Sequence, residues 1–330
     1  MRVIRGIHNL RQEHRGCVAT IGNFDGVHQG HQSLIRALKQ RANELSLPVA
    51  VIIFEPQPRE YFCREFDRAF DRDDAPGRIT RFRDKVERLF SEGVDQVVCL
   101  SFNDRLRSLT AEQFVEKLIV NGLDVKHLVV GDDFRFGCDR SGDYQFLTSA
   151  SEKFGFELSN MATFSHDELR VSSTRVREVL NNAEFELAEE LLGWPYQISG
   201  KVVHGRKLGR QIGVPTANVQ LSNLKAPFSG VFAVEATVVS NQEKGSSPAL
   251  SAVANLGIKP TVNGIAPSLE VHILSSLAEA GIKDNDLYGK RLSVRFRKKI
   301  RDEKKFDGID ALKAAIEQDI ATAKAFFNIK

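Results

Sequence analysis

Cysteine is scarce in this sequence, and the few cysteines follow no binding pattern. Among 330 residues there are four, Cys17, Cys63, Cys99 and Cys138, which lie far apart and form no C-x-x-C pair. A disulfide framework or a zinc site built on cysteine pairs is therefore not expected, and the spacing is typical of a protein in a reducing compartment.

Long apolar runs and an excess of one charge are also missing. The longest apolar run, Val49–Phe54, is far shorter than the about 20 residues of a membrane-spanning helix, and Met1–Gly6 holds no apolar core of a signal peptide. Lysine and arginine total 46 against 43 acidic residues, unlike the concentrated basic surface of a DNA-binding protein. We expect a soluble cytoplasmic protein that binds neither membranes nor nucleic acids.

Two common nucleotide-binding patterns are absent as well. The chain has no G-x-G and no G-x-x-x-x-G-K-[ST], which excludes the dinucleotide fingerprint and the P-loop. Hydrophobic residues make up 42% and charged residues 27%, which is typical of a globular protein, and the length predicts about two domains.

The first half alternates strand and helix patterns. Short apolar runs predict strands, and apolar residues at spacings of three and four between them predict helices. This alternation indicates an α/β domain with a doubly wound, Rossmann-like parallel sheet. The predicted strands are Cys17–Ile21, Val49–Phe54, Gln96–Leu100 and Leu128–Val130, and the predicted helices are Gln32–Leu45, Arg78–Phe90 and one that opens at a capping box in Thr110–Gln113.

In the second half, predicted strands succeed one another without intervening helices. Glycine and proline clusters separate them, which predicts an antiparallel barrel or sandwich, followed by a terminal helix. The change falls near Asn181–Glu184, so we predict domains of residues 1–183 and 184–330. The predicted strands are Ile198–Val203, Val231–Val239, Ser251–Asn255, Leu269–Leu274 and Leu292–Phe296, and the helix has a packing stripe of Ile309, Leu312, Ile316, Ile320 and Phe327.

The segment Gly22–His31 joins the first predicted strand to the first predicted helix. Its three glycines let the backbone approach a ligand closely, and a helix N-terminus presents amide groups to an anion. His28 and His31 are three residues apart and can face the same ligand. The residues alone leave three interpretations open: an ordinary turn, a histidine pair for a metal, and a phosphate-binding loop whose histidines stabilise charge.

The same segment resembles a known family. His28–His31 has the H-x-G-H signature of the nucleotidyltransferase superfamily related to class I aminoacyl-tRNA synthetases, and the whole of Gly22–His31 is similar to prokaryotic FAD synthetases. The resemblance implies that the first domain joins FMN to the AMP part of ATP, with His28 and His31 as catalytic residues. The ATP-binding residues that it implies are Gly22, Asn23, Phe24, His28, His31, Ser172, Thr174 and Arg175.

Three more segments of the first half are similar to that family. Phe54–Phe62 resembles its F-x-P-x-P loop near the flavin, and Ser172–Arg177 resembles its S-S-T-x-[IV]-R motif for the ATP phosphates, although a capped helix with solvated arginines has the same pattern. Val129–Gly137 also matches, and its place after a strand predicts a position at the carboxyl edge of the sheet. The implied flavin-binding residues are Phe54, Pro56, Pro58, Phe62, Asp133 and Phe134, of which Phe134 also fits an ordinary core.

A second candidate site lies at Gly205–Asn218, where three glycines and three cations precede Pro-Thr-Ala-Asn. Such a segment suits a mobile, positively charged flap over phosphates, and a charged loop that leads into a strand is the simpler alternative. The string resembles the G-R-x-L-G-x-P-T-A-N motif of riboflavin kinases, with Ile212 and Val214 as departures. The implied ATP-binding residues are Gly205, Lys207, Gly209, Arg210, Gly213, Pro215, Thr216 and Asn218, and the implied Mg²⁺ ligands are the neutral oxygens of Thr216 and Asn218.

Downstream segments match riboflavin kinases too. Gly230–Val234 resembles the family's G-V-[YF]-A-V strand, and Asn255–Thr261 its N-x-G-x-x-P-T turn. The resemblance implies that Glu270 is the catalytic base, whereas the alternation around it also fits an outward-facing strand residue. One departure is Ser275–Asp286, which is longer than the family's short acidic loop.

Together these resemblances imply a bifunctional enzyme, a riboflavin kinase and FMN adenylyltransferase. It would use ATP and Mg²⁺, take riboflavin, FMN and FAD as substrates or products, and need no obligate protein partner. Two alternatives stay open: a nucleotidyltransferase with an inactive or accessory flavin-binding barrel, and a non-catalytic flavin- or RNA-binding module.

Overall fold

The computed structural model describes residues 1–65, 76–131, 133–161, 164–205, 209, 212–221, 225–239, 247–261, 264–275 and 287–329. The chain divides into two compact units. Unit 1 comprises Met1–Pro76 and Phe82–Arg175, and unit 2 comprises Gly77–Arg81 and Val176–Lys330. Among the described residues, no helix combines the length and the apolar character that crossing a membrane requires.

A parallel sheet of six strands forms the centre of unit 1. Its strands are β1 (Arg2–Arg5), β2 (Cys17–Ile21), β3 (Val49–Glu55), β4 (Gln96–Ser101), β5 (Val125–Gly131) and β6 (Glu157–Met161). They pair in the order β1-β4-β3-β2-β5-β6, so the chain winds outward from β2 in both directions. The carboxyl ends of β2 and β5 therefore form the switch point at which such sheets bind ligands.

Helices cover both faces of this sheet. The helices of unit 1 are α1 (Gln29–Leu45), α2 (Pro58–Glu65), α3 (Phe82–Ser91), α4 (Asp104–Arg107), α5 (Ala111–Phe114) and α6 (Tyr144–Phe154), and α7 (Ser173–Asn181) begins in unit 1 and continues into unit 2. Successive residues of β2 point to opposite faces. Val18 packs in one core with Leu38 of α1, and Ala19 packs in another with Phe114 of α5. The doubly wound sheet that the sequence predicts is confirmed.

Unit 1 differs from the sequence prediction at its margins. The edge strands β1 and β6 were not predicted, because a short strand with one buried residue or none lacks an apolar run. The predicted helix Arg78–Phe90 was wrong in its first turn, since α3 begins at Phe82. Gly77–Arg81 belongs to unit 2, where the Arg78 amide donates to the Lys225 carbonyl oxygen at 2.9 Å.

A closed antiparallel barrel forms the centre of unit 2. Its strands are β9 (Gln197–Val203), β10 (Ala217–Val219), β11 (Gly230–Val239), β12 (Leu250–Thr261), β13 (Gly264–Ile273) and β14 (Arg291–Arg301), and between β6 and β9 the chain forms the short hairpin β7 (Ser165–His166) and β8 (Leu169–Arg170). The barrel order is β10-β13-β12-β11-β14-β9. Because the sheet closes on itself, unit 2 is a barrel and not a sandwich. The sequence pattern did not predict the three-residue strand β10.

Two helices pack on the barrel. On α8 (Phe185–Leu192), the ring of Phe185 contacts those of Phe228, Phe232 and Phe296 at centroid distances of 5.4–5.9 Å. The terminal helix α9 (Ile309–Phe327) packs through Ile320 and Phe327. The predicted packing stripe was wrong at Ile309, which is 69% exposed.

Candidate active sites

A cavity of about 930 Å³ opens in unit 1 at the carboxyl ends of β2 and β5. We call it the nucleotide cavity. Its walls come from the loop after β2, the loop after β5, the start of α2 and the start of α7. Of the sequence-predicted residues, the cavity is lined by Gly22, Asn23, Phe24, His28, His31, Ser172, Phe54, Pro58, Phe62, Asp133 and Phe134; Pro56, Thr174 and Arg175 do not line it.

The loop after β2 has an unusual backbone. Phe24 and Val27 have φ angles of +48° and +40°, in the left-handed region that side chains rarely adopt, and Val27 is completely buried. A β-branched residue in this region is strained, and such strain collects where the surrounding structure holds a functional loop in place. The loop is thus held by packing around Val27 rather than by the freedom of its glycines alone.

The two histidines of the loop stack on each other. The His28 and His31 rings lie 3.7 Å apart between centroids at an angle of 20°, and Nδ1 of His28 caps α1 by accepting from the His31 amide. Nδ1 of His31 is buried and has no hydrogen-bond partner in the described part of the chain. Burial, followed by the charges of His28 and Lys85, holds the pKa of His31 well below its usual range. The His31 imidazole is therefore uncharged at neutral pH.

Lys85 of α3 supports this loop from behind. Its side chain is completely buried, and its ammonium donates a 2.7 Å hydrogen bond to the Asn23 carbonyl oxygen. Sequence reasoning missed it by counting only the apolar residues of the helix. A signal was available, because Lys85 lies three residues after Phe82 and four before Leu89, on the apolar face.

The start of α7 is tied to the same loop. The Ser173 hydroxyl donates to the Asp25 carbonyl oxygen at 2.9 Å, and the Ser172 hydroxyl accepts from the Arg175 amide at 3.2 Å. The Arg175 guanidinium donates to the carbonyl oxygens of His166 and Leu169, both at 3.0 Å, and so holds the β7–β8 hairpin. The motif thus presents hydroxyl and amide groups to the cavity, while its first arginine faces elsewhere.

Arginines that the sequence analysis did not single out supply the positive charge of the cavity. Arg170 of β8 pairs with Asp133 at 2.9 Å, which places one guanidinium beside a predicted flavin residue. Nothing in the local pattern distinguishes these arginines from solvated ones, because loops distant in sequence bring them together. The arginines that line the cavity are Arg59, Arg107, Arg135, Arg140 and Arg170.

Aromatic rings line the side of the cavity near β3. Phe54 at the end of β3 and Phe62 of α2 both contact the ring of Phe102, at centroid distances of 5.9 and 5.7 Å. Phe62 is 43% exposed, and Phe134 stacks on the buried Phe136 at 5.4 Å. An exposed ring beside a cavity is a surface on which a planar apolar ligand can pack.

In unit 2, the predicted kinase residues meet on three neighbouring strands. Asn218 of β10 and Asn255 of β12 are both paired with Glu270 of β13, so the three side chains form a row across the strands. Leu269 and Val271 on either side of Glu270 are buried in the barrel, which turns Glu270 to the outer face. A carboxylate between two carboxamides is a site that can accept a proton and orient polar ligands.

The segment before β10 passes close over this row. A Cβ atom at Gly205 would lie 2.4–2.6 Å from the Asn218 carboxamide, so a side chain there would displace that carboxamide. A Cβ atom at Gly209 would lie 3.4 Å from Oγ1 of Thr216, so both predicted Mg²⁺ ligands face this segment. The predicted residues Lys207 and Arg210 lie outside the described residues, as do residues 276–286 of the long segment before β14. The predicted Gly213 precedes Val214 and has nothing within 4 Å of its Cβ position.

Two further groups beside the row were not predicted. Nδ1 of His272 donates to the Pro215 carbonyl oxygen at 2.8 Å and so holds the Pro215–Asn218 segment against β13. The Glu303 carboxylate accepts from the Asn255 side chain at 3.3 Å. No cluster of three or more His, Cys, Asp or Glu side chains with metal-binding geometry occurs within the described ranges.

Comparison with known proteins relates each half of the chain to a known family. The sequence model of the FAD synthetase family matches residues 10–175, and that of the riboflavin kinase family matches residues 192–327. The chain is 50% identical over 326 residues to the bifunctional riboflavin kinase/FMN adenylyltransferase of Pseudomonas fluorescens, covering 98% of this chain and 97% of that one. It is 47% identical over 330 residues to the protein of the same description from Escherichia coli strain K12, covering 100% and 99%.

A solved structure shares the fold across both units. The crystal structure described as a macrolide-efflux protein from Streptococcus pneumoniae aligns with a TM-score of 0.75 at 28% identity, and the alignment covers 98% of this chain and 99% of that one. The likeness extends over the sheet of unit 1 and the barrel of unit 2.

Proposed function

The chain belongs to the family of bifunctional riboflavin kinases/FMN adenylyltransferases, and from this premise we propose which of its residues carry each reaction. The enzyme phosphorylates riboflavin to FMN with ATP, and it joins FMN to the AMP part of ATP with release of pyrophosphate. Because a riboflavin kinase model matches residues 192–327, an inactive or accessory barrel is not favoured.

We assign adenylyl transfer to residues 1–183 and the kinase to residues 184–330. The observation that carries this division is that each unit holds its own set of polar groups. The stacked histidines lie in unit 1, and the Asn218–Glu270–Asn255 row lies in unit 2. Two separate sites on one chain suit two successive reactions.

In adenylyl transfer, a phosphate oxygen of FMN attacks the α-phosphorus of ATP. A new P–O–P bond forms, the bond between the α-phosphorus and the bridging oxygen to the β-phosphate breaks, and pyrophosphate leaves. No protein nucleophile is needed, so the protein aligns the reactants and stabilises charge. His28 and His31 at the start of α1 face the α-phosphate, with the helix N-terminus adding its partial positive charge.

Other residues of the nucleotide cavity make the remaining contacts with ATP and FMN. Gly22, Asn23 and Phe24 bind ATP through the loop that Lys85 supports, while Ser172 lies toward the leaving pyrophosphate. Arg175 contributes indirectly, because its guanidinium holds the β7–β8 hairpin in place. The proposed flavin contacts are Phe54, Pro58, Phe62, Asp133 and Phe134, with Arg170 beside Asp133 as a partner for the FMN phosphate.

In the kinase reaction, the 5′-hydroxyl of riboflavin attacks the γ-phosphorus of ATP and ADP leaves. We propose Glu270 as the base that takes the hydroxyl proton, because its carboxylate lies on the outer face between Asn218 and Asn255. The segment that includes Gly205, Lys207, Gly209, Arg210 and Gly213 and continues to Pro215 covers the ATP phosphates, and His272 positions it through the Pro215 carbonyl.

Mg²⁺ fits the oxygen donors that face this segment. Thr216 and Asn218 supply a hydroxyl and an amide oxygen, which suit an ion that keeps several waters and phosphate oxygens as its other ligands. When bound there, Mg²⁺ would neutralise charge on the transferred phosphate. The chain's own contribution is to hold the two oxygens side by side at the start of β10.

Separate losses of the two activities test the assignment. Glu270→Gln should abolish FMN formation from riboflavin and leave FAD formation from supplied FMN, and His31→Ala should do the reverse. Glu317→Gln, at an exposed position of α9, serves as the matched control and should retain both activities. Loss of both activities in folded Glu270→Gln or His31→Ala protein would contradict the two-site assignment.

We propose that the enzyme acts in the cytoplasm without an obligate protein partner. Its four cysteines are free thiols, in keeping with a reducing compartment. Both reactions use small molecules and ATP, and neither proposed site needs a residue from another chain.

A further inference from the structure

Unit 1 contains another cavity, of about 720 Å³, which we call the second cavity. Helix α4 separates it from the nucleotide cavity. Leu106 lines both cavities, Arg105 lines only the second, and Arg107 lines only the nucleotide cavity. The second cavity belongs to neither proposed active site.

The charged side chains that line the second cavity are all basic. Among the residues that line it are Arg11, Arg15, Arg105, Lys117 and His8, and none of the lining residues is acidic. In the part of the chain that the structure describes, no ion pair engages Arg15, Arg105 or Lys117. The Arg11 guanidinium donates to two backbone carbonyl oxygens, those of His8 and Leu10, at 3.0 and 3.3 Å. The cavity therefore holds a positive potential that an anion would neutralise.

Three acidic side chains that lie close to the lining residues in sequence pair with cations elsewhere. Glu13 pairs with Arg2 at 2.6 Å and Asp104 pairs with Arg107 at 2.6 Å. Glu112 pairs with Lys153 at 2.7 Å. Each of these cations lies outside the lining of the second cavity. The fold thus removes from the cavity the carboxylates that would otherwise neutralise it.

The floor of the second cavity is apolar. Aliphatic side chains from the chain after β1, the end of β4 and the region around α4 meet beneath the basic groups. A ligand with an apolar body would gain from covering them, whereas a bare inorganic anion would leave them exposed to water. The aliphatic residues are Ile7, Leu10, Leu100, Leu106 and Leu109.

One wall is a π-helix, Val115–Val120, which carries Lys117. The amide of Asn121 donates to the Glu116 carbonyl oxygen at 2.8 Å, and the amide of Leu123 donates to the Leu118 carbonyl oxygen at 2.9 Å. In each case the acceptor lies five residues before the donor. Turns of this kind are rare and are frequently found at functional sites. Here the widened turn brings Lys117, Asn121 and Gly122 into the cavity wall.

We propose that the second cavity binds a small organic phosphate ester with an apolar ring or chain. The apolar part packs on the leucines, and the phosphate is held by the guanidinium groups of Arg105 and Arg15 and the ammonium group of Lys117. The volume lies within the roughly 300–1,000 Å³ of small-molecule sites. Such a ligand would press on Leu106 and so contact the wall of the nucleotide cavity.

Calorimetric titration of the full chain with 1-naphthyl phosphate tests this proposal. The double variant Arg105→Ala, Lys117→Ala removes two anion contacts and should weaken binding about tenfold or more. The matched control Arg83→Ala, Lys126→Ala removes one arginine and one lysine that pair with Glu87 and Asp124 outside the cavity, and it should bind within about twofold of wild type. Retention of riboflavin kinase and FMN adenylyltransferase activity shows that each variant is folded.

Two analogues separate the parts of the ligand. Uncharged 1-naphthol and inorganic phosphate should each bind about tenfold or more weakly than the ester, because each lacks one of the two contacts. Equal affinity of the double variant and wild type, equal affinity for inorganic phosphate and the ester, or absence of ester binding at millimolar concentration would overturn the proposal. If the double variant does not fold, titration of Arg105→Gln with the same three ligands takes its place, and the same outcomes support or overturn the proposal.

Discussion

The ammonium group of Lys85, a completely buried side chain, donates a 2.7 Å hydrogen bond to the backbone carbonyl oxygen of Asn23. This contact joins α3 to the loop that carries His28 and His31. It also places a positive charge near His31, where it contributes to the lowered pKa of that imidazole. One buried cation therefore acts on both the shape and the protonation of the nucleotide cavity.

Replacing Lys85 should impair adenylyl transfer selectively. Lys85→Met removes the hydrogen bond to Asn23 and the charge near His31, so FAD formation from FMN should fall about tenfold or more while riboflavin kinase activity stays at the wild-type level. The pH at which activity changes should also rise, because the pKa of His31 moves toward its usual value. Initial rates of FAD and FMN formation, measured over a range of pH, test both expectations.

Lys39→Met is the control for that change. Lys39 also donates from a helix to a backbone carbonyl oxygen, that of Glu92 at 3.1 Å, but it does not line the nucleotide cavity. Its loss should leave the pH profile unchanged. An unaltered profile in folded Lys85→Met protein would contradict the role given to Lys85.

The pKa of His31 predicts how stability depends on pH. Because the folded protein lowers this pKa below the usual value of 6.5, the unfolded chain binds a proton that the folded chain does not as the pH falls below 6.5. This site should therefore reduce the free energy of unfolding by up to about 1.4 kcal/mol between pH 7.5 and pH 5.5. His31→Asn, which does not titrate there, should lose correspondingly less free energy of unfolding over the same pH range in chemical denaturation. Equal losses in both proteins would show that His31 titrates normally.

The segment that covers the kinase row should tolerate no side chain at Gly205. In Gly205→Ala the new methyl group would lie 2.4–2.6 Å from the Asn218 carboxamide, so FMN formation should fall about tenfold or more while FAD formation from FMN is retained. Gly308→Ala has open space at its Cβ position and serves as the control. Normal kinase activity of Gly205→Ala would mean that the approach of Gly205 to Asn218 is not needed for phosphoryl transfer.

The terminal helix is held to the barrel by a buried ion pair. Arg301 of β14 donates twice to the Asp319 carboxylate, at 2.7 and 2.9 Å, and Asp319 is 4% exposed. Asp319→Ala leaves the guanidinium without this partner and should lower the free energy of unfolding of unit 2 by about 3 kcal/mol. Denaturant unfolding monitored by kinase activity measures the change, with Glu317→Ala, exposed on the same helix, as the control. A loss no larger than that of the control would show that the pair contributes little to stability.

Much of the fold could be predicted because its signals are local. The run Cys17–Ile21 is completely buried and forms β2 with the predicted bounds, and the capping box at Thr110 and Gln113 forms as expected. Edge strands such as β1 carry no such signal. Likewise, Gly77–Arg81 continues a helical pattern in sequence but belongs to unit 2. The pattern could not show this, because the hydrogen-bond partners of this segment lie far away along the chain.

The chemical groups that short motifs supply to each site could be predicted from the sequence alone. The glycines and histidines of Gly22–His31 and the threonine, asparagine and glutamate of the kinase row are fixed by short motifs, in which neighbours along the chain specify the chemistry. Tertiary structure alone decided which distant groups join them. Lys85 beneath Asn23, Arg170 beside Asp133 and Asn255 beside Glu270 meet because strand pairing and core packing depend on contacts between segments far apart, to which no local periodicity corresponds.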